Sequence, residues 1–177
     1  ITPDYDMALM KPGQTLNELV SRAIKGLDPI IDEEMPDVII SQGDTSTAMV
    51  AALAGFHKGV KIVHLEAGLR TGNIFSPFPE EANRKIIGQI ASLHLAPTNE
   101  SRENLRRENF RSKDIVVTGN TVIDALLAAS EWNVEFEDPR LEELRNSGER
   151  VVLVTTHRRE NLDAMKETVS YTHLRAH

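Results

Sequence analysis

Three carboxylates, two arginines and a histidine fall within KIVHLEAGLRTGNIFSPFPEEANR, residues 61–84, while QGDTST from Gln42 and THRREN from Thr156 add an aspartate and a second histidine. Asp44, Glu66 and Glu80 are the carboxylates placed for shared work, since Asp44 and Glu66 follow strand-like runs and Glu80 opens a helix-like one. Carboxylates held close together repel, so at least one of such a set should carry a proton near neutrality and donate as well as accept. His157, brought from a separate domain, would add positive charge for a departing anion or a second acid-base group. The chemistry is charge-assisted proton transfer at carbon or oxygen. Each residue also has a plainer role. Asp44 could cap the following helix, with Thr45 and Thr47 as alternatives. Glu80 and Arg84, four apart, could form a surface pair worth roughly 0.3–0.5 kcal/mol. His157, beside two arginines, could be a solvated loop residue. His64 and His94, inside apolar runs, read as hydrogen-bonded core residues, and His57 as a helix-end imidazole favoured by the dipole. No spacing suits zinc, and no glycine-rich dinucleotide or Walker pattern occurs, so neither a metal nor a dinucleotide cofactor has support.

The elements that must position these residues follow from periodicity. Leu16, Leu19, Val20, Ala23, Ile24, Leu27, Ile30 and Ile31 obey the i, i+3, i+4 rule, which predicts an amphipathic helix over residues 15–35 with Pro29 a candidate bend. Apolar strands are then expected at 38–41, 61–65, 93–96 and 115–118, alternating with helices at 45–57, 79–91, 99–109 and 121–132. Such alternation predicts an α/β, Rossmann-like parallel sheet covered by helices on both faces. Ligands of such sheets bind beyond the carboxyl ends of the strands. The turns there carry Gln42 to Thr45, Glu66, Gly68 and Arg70, Pro97 and Thr98, Gly119 to Thr121, and Thr156 to Arg158. Their helix amides and dipoles suit a phosphate-bearing ligand. Residues 1–132 form the expected first domain, 133–150 a linker with one short helix, and the strong run at 151–155 opens a second domain over 151–168.

Composition narrows the function classes. A chain of 177 residues with 40% hydrophobic content supports one good core, as one domain or one plus part of another. A net charge of -7 and a pI near 5.4 argue against non-specific nucleic-acid or anionic-membrane binding. Zero cysteines exclude disulfides, thiolate ligands and Cys nucleophiles. No run approaches the eighteen or so apolar residues of a bilayer helix, and the first residues lack signal-peptide order, so a cytoplasmic location is the default.

QGDTST, HLEAGLRTGNIFSPFPEEANR, TGNTVIDALL and THRREN together resemble the non-hydrolysing bacterial UDP-N-acetylglucosamine 2-epimerases, over residues 1 to about 168. The resemblance implies a GT-B-type pair of Rossmann-like domains with the sugar nucleotide in the cleft between them. It implies interconversion of UDP-GlcNAc and UDP-ManNAc by anti elimination of UDP, through a 2-acetamidoglucal, with no cofactor. Carried over by motif, Asp44, Glu66 and Glu80 match the acid-base carboxylates and His157 the cleft histidine. Gly43, Thr45, Arg70, Asn120 and Arg158 are the expected substrate-binding residues. Gln14, Arg70 and Arg158 are candidates for a second UDP-GlcNAc acting as activator, and a homodimer is expected.

A complete member would begin with a further strand and a phosphate loop and end with most of a second domain, so the 177 residues are expected to be a fragment, inactive alone. The ending VSYTHLRAH departs from the pattern, and residues 169–177 read as a non-native tail. Competing readings are a hydrolysing epimerase, separated by its products; a GT-B glycosyltransferase, which needs an acceptor and does not exchange the C2 hydrogen; and a non-catalytic sugar-nucleotide-binding module.

Overall fold

The structure, a computed structural model, describes residues 2–152. Thr15 starts the first helix through a capping box, its hydroxyl accepting the Glu18 N–H while the Glu18 carboxylate accepts the Thr15 N–H. The helix, α1 (Leu16–Glu34), accommodates Pro29 and ends at Met35, whose φ of 43° is left-handed. β1 (Val38–Gln42), α2 (Ser46–His57), β2 (Lys61–Leu65), α3 (Glu80–Ile90), β3 (Leu93–Ala96) and α4 (Asn99–Arg107) follow close to the expected positions. A 3-10 turn over Ser112–Asp114 leads into β4 (Ile115–Val117); α5 (Thr121–Ser130) and α6 (Pro139–Ser147) complete the described elements. Asp138 caps α6, the short helix expected inside the linker. None of the described helices is long and apolar enough to cross a membrane.

The four strands are parallel in the order β1-β2-β3-β4, with Gln42 opposite Leu65, His64 opposite His94 and His94 opposite Ile115. This is the α/β, Rossmann-like sheet the alternation implies. Paired residues of parallel strands share a face, so Ile39, Ser41, Ile62, His64, His94, Ala96 and Ile115 form one face. Ile62 packs with Ala52 of α2 and Ile87 of α3, and Ala96 and Ile115 pack with Leu105 of α4. The opposite face carries Val38, Ile40 and Val116, which are 41%, 64% and 46% exposed.

Helices on both faces were expected, but within this sheet α2, α3 and α4 all lie on one. The cause is strand order: right-handed crossovers that always step in the same direction place every connecting helix on the same side. α1 lies against α2 rather than the sheet, tied there by Lys58, which reaches Asp32 at 2.8 Å and Asp28 at 3.4 Å.

The chain divides into two compact units at Asn120 and Thr121. α5, grouped by sequence with residues 1–132, therefore belongs to the second unit. Val151 and Val152 carry no strand, and the rest of the expected second-domain opening lies outside the described residues.

Candidate active site

Gln42 and Leu65 are the last pair of the β1–β2 ladder, so Gly43 and Glu66 leave adjacent strands at the carboxyl edge. The Gly43 N–H donates to the Leu65 carbonyl at 2.9 Å, and His64 Nε2 meets the Gly43 carbonyl at 2.8 Å. Gly43 has a φ of 73°, and a Cβ there would stand 3.7 Å from Glu66 Oε2. The Glu66 carboxylate thus lies over the Gly43 turn. Glu66 itself has a φ of 67°, a left-handed conformation that costs a side-chain-bearing residue roughly 1–2 kcal/mol.

Asp44 is not the helix cap. Thr45 fills that role, its hydroxyl accepting the Ala48 N–H at 3.1 Å. Asp44 turns instead toward α3, where its Oδ2 meets Arg84 Nη2 at 2.9 Å and its carbonyl accepts Asn83 Nδ2 at 2.9 Å. Arg84 is accordingly withdrawn from the surface pair expected with Glu80. It touches only the Glu80 carbonyl, through Nε at 3.4 Å, and its ionic partners are Asp44 and Glu81. Glu80 stands half-buried at the first residue of α3, where the helix dipole favours a carboxylate. Asn83 and Arg84 therefore bind the start of the Glu80 helix to the turn carrying Asp44, with Glu66 on the neighbouring strand.

His64 is buried as expected, its imidazole pushed down to about 4 chiefly by burial and secondarily by His94, Arg70 and Arg84, against the pull of the Gly43 carbonyl. It is a neutral donor that fixes the Gly43–Asp44 turn, leaving Nδ1 without a partner. His94 is also lowered by burial and then by Arg70, and packs against Phe110 with ring centroids 4.7 Å apart. Its Nδ1, like that of His64, has no hydrogen-bond partner.

Arg70 is tied to the end of α4. It grips Glu108 with Nε and Nη2 at 2.8 and 2.7 Å, donates from Nη1 to the Leu69 carbonyl, and holds the Glu108 carboxyl below its ordinary range. Gln14 accepts from the Lys11 N–H and from Arg22. Asn120 follows the β4 end, past Gly119 with a φ of 81°. His157 and Arg158 lie outside the described residues. Among those described, no three His, Cys, Asp or Glu side chains are placed to hold a metal ion.

Sequence reasoning passed over Asn83 and, above all, Glu81, which is fully buried. A signal existed: Glu81, Arg84, Ile87 and Gly88 share the helical stripe that faces the core, so the polar members of that stripe had to be buried and paired.

The family described as UDP-N-acetylglucosamine 2-epimerase matches residues 1–175, running past Thr168. The chain is similar to a UDP-N-acetylglucosamine 2-epimerase of Escherichia coli, at 46% identity over 166 residues, covering 91% of this chain and 44% of the relative. Among solved structures it resembles the UDP-GlcNAc 2-epimerase of Neisseria meningitidis bound to UDP-GlcNAc, with a TM-score of 0.69 and 41% identity over 83% of this chain and 37% of that one. It also resembles the Methanocaldococcus jannaschii enzyme in complex with UDP-GlcNAc and UDP, with a TM-score of 0.78 and 32% identity over 96% and 46%. The chain thus spans less than half the length of these relatives.

Proposed function

This chain belongs to the UDP-N-acetylglucosamine 2-epimerase family, and on that premise we propose that it supplies the acid-base wall of a non-hydrolysing epimerase that interconverts UDP-GlcNAc and UDP-ManNAc. The observation that supports this most is the convergence at the carboxyl edge: the Glu66 carboxylate over Gly43, and Asp44 beside it in an ion pair with Arg84, tied to the start of the helix that carries Glu80. In the proposed reaction a base takes the C2 proton while the C1–O bond to UDP breaks on the opposite face. The electron pair of the C2–H bond forms the double bond of a 2-acetamidoglucal, and UDP leaves with the C1–O pair. Re-addition of UDP at C1 and protonation of C2 from the other face yield the epimer, so no net oxidant, reductant or water is consumed. Asp44, Glu66 and Glu80 share the proton transfers, without an individual assignment. His157 and Arg158 would face the departing diphosphate, and Gly43, Thr45, Arg70 and Asn120 the sugar nucleotide. A second UDP-GlcNAc held by Gln14, Arg70 and Arg158, a GT-B pair of domains and a homodimer belong to the same proposal.

The test grafts residues 1–168 onto the Escherichia coli relative in place of its matching segment and incubates the chimera with UDP-GlcNAc in deuterated water. Deuterium at C2 of both epimers, without free ManNAc, is the expected outcome, and Glu66→Gln should abolish exchange with the amide spectrum intact. Free ManNAc would mark a hydrolysing enzyme, and absence of exchange would overturn the epimerase reading. The 177 residues alone are expected to show no turnover.

A further inference from the structure

Glu81 is the one fully buried carboxylate among the described residues. Burying a carboxylate costs several kcal/mol unless charge and hydrogen bonds meet it. Here only one oxygen is met: Oε2 accepts the Thr71 N–H at 3.2 Å and lies 3.5 Å from Arg84 Nε, while Oε1 has no partner. A buried ion pair with one carboxylate oxygen unmet is a weak sign of net stabilisation, so the carboxylate's worth lies in what it holds. What the carboxylate holds is one end of a guanidinium whose other end, Nη2, meets Asp44 Oδ2 at 2.9 Å. Arg84 is 9% exposed and Asp44 26%, so their pair is partly screened by solvent. Apart from these two carboxylates the guanidinium meets, among the described residues, only the Glu80 carbonyl, through Nε at 3.4 Å, so Glu81 supplies the second anion that fixes its planar fork. Thr71, Glu81, Arg84 and Asp44 thus form a line from the β2–α3 loop, through α3, to the turn after β1.

We propose that Glu81 is a positioning residue for the reaction described above: it anchors Arg84 so that the guanidinium fixes the Asp44 carboxylate beside Glu66. The geometry stands by itself, and only its use in catalysis rests on the epimerase reading. Glu81 acts through Arg84, and Asp44 is the group that meets substrate.

The first test uses the 177-residue chain with 13C-labelled aspartate and follows the Asp44 carboxyl carbon through an acid titration. Glu81→Gln keeps an oxygen acceptor for the Thr71 N–H but removes the charge that Arg84 meets. Arg84 then acts on Asp44 alone, and the midpoint should fall by about half a unit. Glu81→Ala removes the anchor, so the midpoint should rise toward that of Arg84→Ala, and the double variant should move no further than Arg84→Ala. An unchanged midpoint in Glu81→Gln overturns the proposal, as does one in a folded Glu81→Ala. Should Glu81→Ala not fold, the glutamine variant decides. The second test places Glu81→Ala in the chimera, where kcat for C2 exchange should fall at least about tenfold with KM held within about twofold, and Glu81→Gln, which keeps part of the anchor, should lower kcat in the same direction by less. An unchanged kcat overturns the role in the reaction. Failure of the unsubstituted chimera to exchange strikes the epimerase reading instead, and the titration still tests Glu81.

Discussion

Glu80 and Glu81 are neighbours with opposite fates, because one residue of helix is a rotation of about 100°. The first stands half-buried at the start of α3 and the second is sealed beneath Thr71 and Arg84. Motif resemblance pointed to Asp44, Glu66 and Glu80, and the sheet register explains why the first two can meet. It did not reveal Arg84 as the partner of Asp44, because a pair four apart on one helix is the cheaper guess than a contact spanning forty residues of chain. The burial of His64 was legible from its apolar neighbours, whereas its bond to the Gly43 carbonyl depends on the β1–β2 register, which single-chain periodicity does not carry. Its burial, whose effect the bond to Gly43 opposes, sets a pH dependence. His64 ionises near 6.5 when unfolded and near 4 when folded. Above 6.5 both states are neutral; as pH falls from 6.5 toward 4 the unfolded chain takes up the proton and the native one resists. Stability on the order of 3 kcal/mol should therefore be lost across that window. His64→Gln can still donate to the carbonyl but cannot ionise, so its urea midpoint should fall less between pH 7 and 4.5 than that of the parent. Equal slopes would remove His64 as the cause.

At the scale of elements, the first residues of the loop after β2 are held by contacts with α4. Gly68 has a φ of 88°, and a Cβ there would stand 2.2 Å from the Ser101 carbonyl oxygen, backbone that cannot step aside. Asn104 Nδ2 donates to the Gly68 carbonyl, and Arg70 clasps Glu108 two residues later. Gly68→Ala should accordingly cost more than about 3 kcal/mol in urea unfolding, while Gly43→Ala, which meets strain but no clash, should cost about 1–2. Comparable losses would show that the α4 contact yields. Arg70→Lys replaces a bidentate fork by a point charge and should cost about 1–2 kcal/mol, less in Glu108→Gln, where the partner is already gone. Boundaries of helices and strands were legible to within two or three residues because caps and periodicity are local: Thr15 with Glu18, and Thr98 accepting the Ser101 N–H, announce their helices. The grip of Arg70 on Glu108 was the opposite case, a contact with an acid 38 residues away that no local pattern carries.

For the molecule as a whole, alternation of strands and helices reveals a parallel sheet but not the direction in which successive crossovers step. Four strands in chain order send α2, α3 and α4 to one face, and only a reversal of order would send helices to the other. The division at Asn120 was equally hidden, since α5 continues the alternation without a break in composition and the shift in composition comes only after residue 132. The one-sided sheet makes a contrast that unfolding experiments can read. Ile62, on the inner face, is 1% exposed and packs between α2 and α3, so Ile62→Ala should cost about 2–5 kcal/mol. Ile40, on the next strand and the opposite face, is 64% exposed, so Ile40→Ala should cost less than about 1 kcal/mol despite removing the same atoms. If the two losses were equal in the 177-residue chain, a second layer would have to cover Ile40. The difference between them therefore measures how much of the sheet these residues bury on their own.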